Sequence, residues 1–435
     1  MPPHKNGLFV ISFLSVLALA THGRTQSPPS AESGPRLDLP PESEAAEATA
    51  AAAEPEADLL RGLQELRFRT AEKTGIGGYA EMHYNHETKE GDADGNGTID
   101  FHRLVIFLVH TFSNDLRFYS ELEVEHAFAG GGGPGEVEIE QAFIDYRLAG
   151  DLLTLRAGII LVPMGIINQW HEPPVFHGVE RPLVDKRIIP STWREAGIGF
   201  VGAPAESVHY ELYLVSGLDP TGFSAKDGIR GGRQHVAKAR ANDFAVTGRL
   251  EYEPVLGVVV GASGYYGEAG DNAGALFTYT GAELELGVPV LGYSADARAR
   301  WKGLEARALY ARFDIGSTAR LRNAYDGDGE LIGPDVGSSL HGYYVELAFD
   351  VLSLLDHDQQ LLPFARYESS DTMLHATRAN QFRRVPDAQE ITDIVFGISY
   401  RPVPAVVFKG DVILRDPVGA DNDATIVNLG LGVMF

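Results

Sequence analysis

The amino-acid sequence predicts an all-β fold, a transmembrane antiparallel β-barrel of about 16 strands. Apolar and polar side chains alternate along many segments, as they do in strands with one apolar face. The connections between these segments alternate between short and long, the pattern of periplasmic turns and longer extracellular loops. The chain also ends on an alternating apolar segment, ATIVNLGLGVMF, whereas most soluble domains end in a polar, poorly ordered tail.

Four segments show the alternation that predicts strands most clearly. They are DLRFYSELEVEHAF (115–128), DFAVTGRLEY (243–252), GYSADARARW (292–301) and AVVFKGDVILRD (405–416). In the last segment, Phe408 and Leu414 fall on the face opposite to Lys409. These segments exceed the ~5–6 residues of an average strand in a soluble protein, which favours strands that cross a bilayer.

The lengths of the predicted connections assign the two ends of the barrel. Short links are predicted at residues 113–115, 148–151, 202–206, 253–255, 302–303, 355–358 and 401–404. Longer loops are predicted at residues 88–98, 129–135, 164–194, 217–242, 269–289, 317–337, 374–389 and 417–423. This pattern predicts an even number of strands, with short periplasmic turns and longer extracellular loops.

The last strand requires a partner, because a terminal strand with an apolar face leaves an unpaired edge. Pairing with the first predicted strand, near residues 75–85, closes the sheet and removes both edges. Phe435 is then expected at the periplasmic rim, together with Tyr252 and Trp301. A soluble β-sandwich or propeller also explains the alternation, but it does not require long strands with asymmetric loops.

The first 20 residues have the pattern of a secretory signal peptide. His4 and Lys5 precede an apolar run, 8–20, that ends on the small residues ALA, and cleavage is predicted after Ala20. Residues 21–74 are predicted to be a periplasmic linker, rich in Pro, Ala and Glu, with a short helix near its end. Residues 75–435 are predicted to form the barrel, in a bacterial outer membrane.

Composition excludes several functions. Cysteine is absent, which excludes disulfides, thiolate metal sites and thiol nucleophiles. The formal net charge of −24 argues against nucleic acid as a partner. The sequence contains no GxSxG, P-loop or HExxH motif, so we predict that the protein is not an enzyme.

Charged residues of the predicted strands are expected to line the lumen, because Arg or Lys facing lipid costs about 2–4 kcal/mol near the bilayer midplane. The alternation predicts lumen-facing bases at Arg117, Arg156, Arg249, Arg298, Arg300, Arg366, Lys409 and Arg415. It predicts lumen-facing acids at Glu121, Glu123, Glu125, Glu251 and Asp411. A wall of mixed charge suits hydrated solutes in general.

The third long loop, 164–194, is the strongest candidate for a functional segment. A loop of roughly 30 residues in a compact fold is usually functional or disordered, and its four prolines favour an ordered path into the lumen. Its bases Arg181, Lys186, Arg187 and Arg194 would attract anions there. The alternative is an exposed loop in which Glu172, Glu180, Asp185 and Glu195 pair with those bases.

The segment DADGNGTID (92–100) has the spacing of the start of a calcium loop. Its candidate ligands are Asp92, Asp94, Asn96, Thr98 and Asp100. The twelfth position is Arg103, not the glutamate that completes such a loop, and an ordinary Asp/Asn/Gly turn is the alternative. Histidines at positions 83, 86, 102, 110 and 126 could also bind a metal, but they do not share one face under simple alternation.

The region 101–265 resembles bacterial outer-membrane porins, and more specifically the phosphate-selective porin O/P-like group. The resemblance rests on the run EQAFIDY (140–146), LRAG (155–158) and VPMG (162–165). It implies a sixteen-stranded barrel, often a trimer, with a pore narrowed by an infolded third loop.

We therefore predict a passive diffusion channel for small hydrophilic solutes, with an anion preference conferred by bases of the third loop. The predicted partners are outer-membrane lipid, small polar or anionic solutes, and two further copies of the chain. Two alternatives remain: an outer-membrane barrel enzyme such as a hydrolase, and a closed structural or adhesive barrel.

Overall fold

The computed structural model describes residues 73–89, 95–355, 357–375, 389–417 and 423–435. The predicted signal peptide, 1–20, and nearly all of the predicted linker, 21–74, lie outside these residues. Within the described residues, no helix has the length and apolar character needed to cross a lipid bilayer.

Sixteen antiparallel strands form one closed barrel, which confirms the predicted fold class. The strands are β1 (Thr74–Lys89), β2 (Asn96–Thr111), β3 (Leu116–Glu125), β4 (Val137–Ala149), β5 (Leu153–Leu161), β6 (Arg194–Ala205), β7 (Val208–Ser216), β8 (Phe244–Val255), β9 (Val258–Gly267), β10 (Val290–Trp301), β11 (Leu304–Ile315), β12 (Ser339–Phe349), β13 (Gln360–His375), β14 (Ile391–Val403), β15 (Val406–Pro417) and β16 (Ala424–Met434). Each strand pairs with its neighbours in the chain, so the topology is a simple up-and-down meander.

The end of the chain closes the barrel, as predicted. Strand β16 pairs with β1, with Met434 opposite Tyr79. Gly78 N–H donates a hydrogen bond to Phe435 O, and Phe435 N–H donates one to Gly78 O, both at 2.9 Å. The pairing extends to the last residue, so neither edge of the sheet is left open there.

The connections match the predicted alternation, with small shifts at their ends. Loops 126–136, 162–193, 217–243, 268–289 and 316–338 lie at the extracellular end, opposite turns as short as residues 256–257 and 302–303. The first loop was predicted at 88–98, but β1 runs to Lys89 and β2 begins at Asn96. Short helical turns occur at Pro173–Val175, Val184–Ile188, Pro220–Gly222, Arg230–Gly232, Asp271–Ala273, Thr318–Leu321 and Val351–Leu354.

Side chains alternate between an apolar outer surface and a largely polar interior. In β15, Phe408 and Leu414 are 48% and 45% exposed on the outer surface. Between them, Lys409 and Asp411 point inward and are only 7% and 5% exposed. This alternation places hydrocarbon against lipid and charge inside, which is the energetically favourable arrangement of a membrane barrel.

Shifts of pairing interrupt this alternation at several points of the wall, and two β-bulges in its extracellular half affect the interior. One shifts the pairing of β1 with β2 between Glu81 and His83. The other shifts the pairing of β3 with β4 between Glu121 and Leu122. Because a bulge inserts one extra residue, it brings neighbouring residues of one strand to the same face. These positions cannot be assigned by counting odd and even residues.

Candidate functional site

The candidate site is the third long loop, residues 162–193, which we call L3 and which lies inside the barrel. The structure gives it slightly different bounds from those predicted, because β5 ends at Leu161 and β6 begins at Arg194. Val184 and Ile188 of L3 are fully buried and pack on β12, where a Cβ atom at Gly342 would lie 3.0 Å from a side-chain carbon of each. Burial of these apolar side chains against the inner wall holds the loop in the lumen.

Polar side chains of the wall fix the backbone of L3 by hydrogen bonds. The pairs are Gly165 N–H to Ser294 Oγ (3.3 Å), Arg401 Nη2 to Pro174 O (2.6 Å), Arg307 Nη1 to Val175 O (2.7 Å), Ser399 Oγ to His177 O (2.7 Å), Lys409 Nζ to Gly178 O (2.8 Å), Val179 N–H to Asp411 Oδ2 (2.7 Å) and Leu183 N–H to Glu368 Oε2 (2.6 Å). An irregular segment at membrane depth must satisfy its backbone groups in this way. The charged wall residues therefore also support the loop.

The predicted bases of the loop have different environments. Lys186 forms an ion pair with Glu180. Arg181 Nη1 donates to Thr192 Oγ1 at 3.1 Å, and burial lowers its pKa. Arg187 instead donates to neutral oxygens, which include Ser370 Oγ (2.8 Å) and Gln389 O (2.9 Å). Burial lowers the pKa of Arg187 to about 10, so this side chain keeps its charge at neutral pH.

Arg194 was predicted to belong to the loop, but it is the first residue of β6. Its guanidinium forms an ion pair with Glu138 of β4. Its position follows from the pairing of Arg194 with Leu161, which extends β6 by one residue into the predicted loop. Its charge is therefore compensated on the wall and not presented by L3.

The predicted bases of the wall are mostly paired with acids. The ion pairs are Arg156 with Asp145 (2.7 Å), Arg249 with Asp296 (2.7 Å), Arg298 with Glu251 (2.5 Å), Arg300 with Glu305 (3.8 Å), Arg366 with Glu346 (3.2 Å) and Arg415 with Asp393 (2.7 Å). Arg117 of β3 lies opposite Asp145 in the register. The structure thus brings these bases together with acids in a wall of compensated charge.

The candidate calcium ligands lie partly outside the described residues and partly in a strand. Asp92 and Asp94 lie outside the described residues. Asn96, Thr98 and Asp100 belong to β2, so this part of the segment is extended. Whether the whole segment binds calcium stays a prediction.

Three of the five histidines do converge, because the bulge in β2 changes their direction. The ring of His102 stacks on His83 at 4.8 Å between centroids and lies 5.7 Å from the ring of His126. Asp100 Oδ2 is 2.8 Å from His126 Nδ1. His110 is distant, at the other end of β2, where its Nδ1 is 2.8 Å from Thr74 Oγ1. Simple alternation missed this cluster.

Two glycines of β16 leave room for L3, a role that the sequence pattern did not predict. Gly430 and Gly432 of β16 alternate on the lumen side, where a Cβ atom would approach Val179 and Pro173 of the loop. The signal was present in the terminal segment, NLGLGV, as small residues at every second position. Its meaning depends on a loop more than 200 residues away in the chain, which the pattern of one strand does not reveal.

Solved outer-membrane channels share this architecture. The chain is similar to the outer-membrane channel DcaP of Acinetobacter baumannii, with a TM-score of 0.53 and 11% identity over 83% of this chain and 97% of that one. It is also similar to an anion-selective porin from Comamonas acidovorans, with a TM-score of 0.50 and 12% identity over 83% of this chain and 99% of that one. At these identities the comparison establishes the class by fold: a porin-type sixteen-stranded barrel.

No family model matches the sequence. An uncharacterized protein of Aquifex aeolicus (strain VF5) is 33% identical over 356 residues, covering 78% of this chain and 75% of that protein. The chain belongs to the same family as this Aquifex protein.

Proposed function

We propose that the protein is a passive channel of a bacterial outer membrane, through which small hydrophilic solutes diffuse past L3. The outer surface of the barrel is apolar, and its interior carries ionic side chains such as Arg249 and Asp296. A barrel of sixteen strands is wide enough to hold an aqueous channel. We propose no catalysed reaction.

The observation that carries this proposal is the position of L3 between opposite parts of the wall. Its backbone is held by Ser294 of β10, Glu368 of β13 and Asp411 of β15. A loop fixed across the lumen narrows the path that solutes must take. The space left beside L3 then sets the size limit, and the charges around it set the preference for ions.

An anion preference is the narrower part of the proposal. It rests on Arg187, whose hydrogen-bond acceptors are neutral oxygens, so that its charge remains available to the lumen. Lys186 contributes less, because Glu180 compensates it. The run of residues 140–165 resembles the phosphate-selective porins, and this resemblance is the support for phosphate as one of the anions. Export by residues 1–20 and assembly as a homotrimer belong to the same proposal.

A closed structural barrel is the second candidate, and one observation favours it. Trp193 and Ile189 of L3 are fully buried, as are wall residues Phe313 and Val290. This packing leaves little free space around that side of the loop. The two candidates differ in whether ions cross the protein.

Reconstitution of the purified protein in a planar lipid bilayer tests the proposal. We expect stepwise increases in current as single barrels insert, and a reversal potential in a salt gradient that reports the preferred ion. A folded barrel, identified by its heat-modifiable migration on gels, that gives no steps at any voltage would contradict the channel and support the closed barrel.

A further inference from the structure

A second feature of L3 lies where the loop meets strands β3 and β4. Glu121 of β3, Glu140 of β4 and His171 of L3 are all completely buried. Each offers one ligand atom, and these three atoms lie within 4.8 Å of one another. Two carboxylates and an imidazole so close together, away from water, require compensation of their charge.

The orientation of His171 shows which of its nitrogens is available. Its Nδ1 lies 3.2 Å from Asn168 O, a carbonyl that can only accept a hydrogen bond. With the proton on Nδ1, Nε2 presents a lone pair. That lone pair faces Glu140 Oε2 at 3.5 Å. Two acceptor atoms therefore point at each other.

The facing atoms of Glu140 and His171 receive no hydrogen bond from an N–H or hydroxyl group. Among the residues that the structure describes, this holds for both carboxylate oxygens of Glu140 and for Nε2 of His171. The side chain that lies within hydrogen-bonding distance of Glu140 is another carboxyl group, that of Glu123. The nearby Arg103 instead forms its ion pairs with Glu81 and Glu123. Leaving a buried charged acceptor unsatisfied costs more than about 1–3 kcal/mol, so a cation between these atoms would be strongly favoured.

The surrounding structure holds the three side chains in place. The bulge in β4 turns Glu140 and Gln141 inward together, and Gln141 Nε2 donates to Glu121 Oε2. On the loop side, Asn168 Nδ2 donates to Val162 O at 2.8 Å. Trp193 N–H donates to Asn168 Oδ1, also at 2.8 Å. Hydrogen bonds that orient ligands from behind are typical of metal sites.

We propose that Glu121, Glu140 and His171 bind one divalent first-row transition-metal ion, such as Zn²⁺ or Mn²⁺, which fastens L3 to the barrel wall. Two ligands with bonds of about 2.1 Å at a tetrahedral angle are about 3.4 Å apart, which matches the spacing of Nε2 and Oε2. An imidazole ligand favours such an ion over Mg²⁺ or Ca²⁺, which prefer oxygen alone. This site does not depend on whether the barrel conducts.

The ion would be acquired during folding. The ligands come from two strands and from a loop about 30 residues further along the chain, so the site forms only when L3 enters the lumen. Because the three side chains are fully buried, the ion exchanges slowly once the barrel has closed. The metal is therefore best supplied, or withheld, while the protein refolds.

The test is to refold the full chain with Zn²⁺ or Mn²⁺, or with EDTA, and to measure the bound metal after desalting by mass spectrometry. We expect about one ion per folded chain with Zn²⁺ or Mn²⁺. Glu140→Gln and His171→Gln should each reduce the metal content by about tenfold or more. His110→Gln replaces a histidine near the periplasmic end of β2, away from the site, and this control should keep the wild-type metal content. Heat-modifiable migration identifies the folded fraction of every sample.

Three results would contradict the proposed metal site. They are a folded wild-type barrel without stoichiometric metal, a Glu140→Gln barrel that retains it, and a preference for Ca²⁺ or Mg²⁺ in parallel refolding. If one of the two variants does not fold, the other and the wild-type metal content still decide. A barrel that holds the ion but conducts no current would contradict the channel alone, and a conducting barrel without metal would contradict this site alone.

Discussion

Gly432 of β16 lies directly against Pro173 of L3: a Cβ atom added at Gly432 would be only 2.3 Å from the Cβ of Pro173. Such a separation is far inside the ~3.5–4.0 Å of normal carbon–carbon contact. Gly430, two residues earlier, faces Val179 in the same way. The terminal strand thus has glycines on its lumen side where the loop packs, while its other face meets lipid.

We predict that Gly432→Val displaces L3 from β16. The added side chain cannot fit beside Pro173, and overpacking of this kind costs about 1–3 kcal/mol. The free energy of unfolding in urea should fall by that amount, and the single-channel conductance should change. Gly264→Val is the control, because a Cβ atom at Gly264 meets nothing within 4 Å. Equal losses of stability in both variants would contradict the packing of L3 on β16.

Asp411 is predicted to anchor the middle of L3. Its Oδ2 accepts a hydrogen bond from Val179 N–H at 2.7 Å, and its Oδ1 accepts one from Asn428 Nδ2 at the same distance. Asp411→Ala leaves these buried donors unsatisfied, and we expect a loss of about 1–3 kcal/mol in the free energy of unfolding. Asp416→Ala, at an exposed position of the same strand, should change it little. A similar small effect at both positions would show that the anchor is unimportant.

The docking of L3 should depend on pH through Asp185. The pKa of Asp185 is raised to about 7, mainly by burial. The neighbouring carboxylates Glu368 and Asp296 also raise this pKa, whereas Arg181 and Arg366 lower it. The folded protein thus binds this proton more tightly than the unfolded chain, in which the pKa is about 4. This carboxyl group destabilises the fold above pH 7, and the penalty shrinks as the pH falls from 7 towards 4.

Asp185→Asn removes this penalty. We expect the variant to exceed the wild type in the free energy of unfolding by about 2–4 kcal/mol at pH 8. The advantage should decline steadily between pH 7 and pH 4. Asp151→Asn, in an exposed periplasmic turn, serves as the control in the same urea titrations. An advantage of Asp185→Asn that does not vary with pH would refute the assignment of the titration to this residue.

Arg187 is predicted to favour anions in the lumen. Arg187→Gln should move the reversal potential in a KCl gradient towards cation preference, because it removes a charge that no carboxylate of the described residues pairs within 4 Å. Lys302→Gln removes a base from the β10–β11 turn, where Lys302 Nζ lies 5.2 Å from the ring centre of Trp301. An equal shift in both variants would mean that net charge, and not position, determines selectivity.

The strands and the closure of the barrel could be predicted because both follow from local alternation. Phe408 and Leu414 face lipid and Lys409 faces the lumen, as their spacing indicates. Alternation within one strand does not reveal a bulge, because a bulge is defined by pairing with the neighbouring strand. For this reason the clusters around His102 and Glu140 were missed.

The interior of the barrel was harder to predict for a related reason. Four bases in the third loop suggested a positively charged constriction, yet Arg194 belongs to β6 and Lys186 is paired with Glu180. Which acid meets which base depends on the path of L3 across the lumen. That path depends on contacts of L3 with Gly430 and Gly432 of β16, which are far away in the sequence.

The most direct test of the account is a disulfide between L3 and the wall. The chain has no cysteine of its own, so Val179→Cys with Gly430→Cys introduces a single possible bond. A Cβ atom at Gly430 would lie 3.1 Å from Val179 Cγ1, close enough for the ~3.8 Å between Cβ atoms of a disulfide. We predict that the pair oxidises almost completely in the membrane-embedded barrel and that conductance persists with less fluctuation. Failure of the bond to form in folded protein would show that L3 does not lie across the lumen.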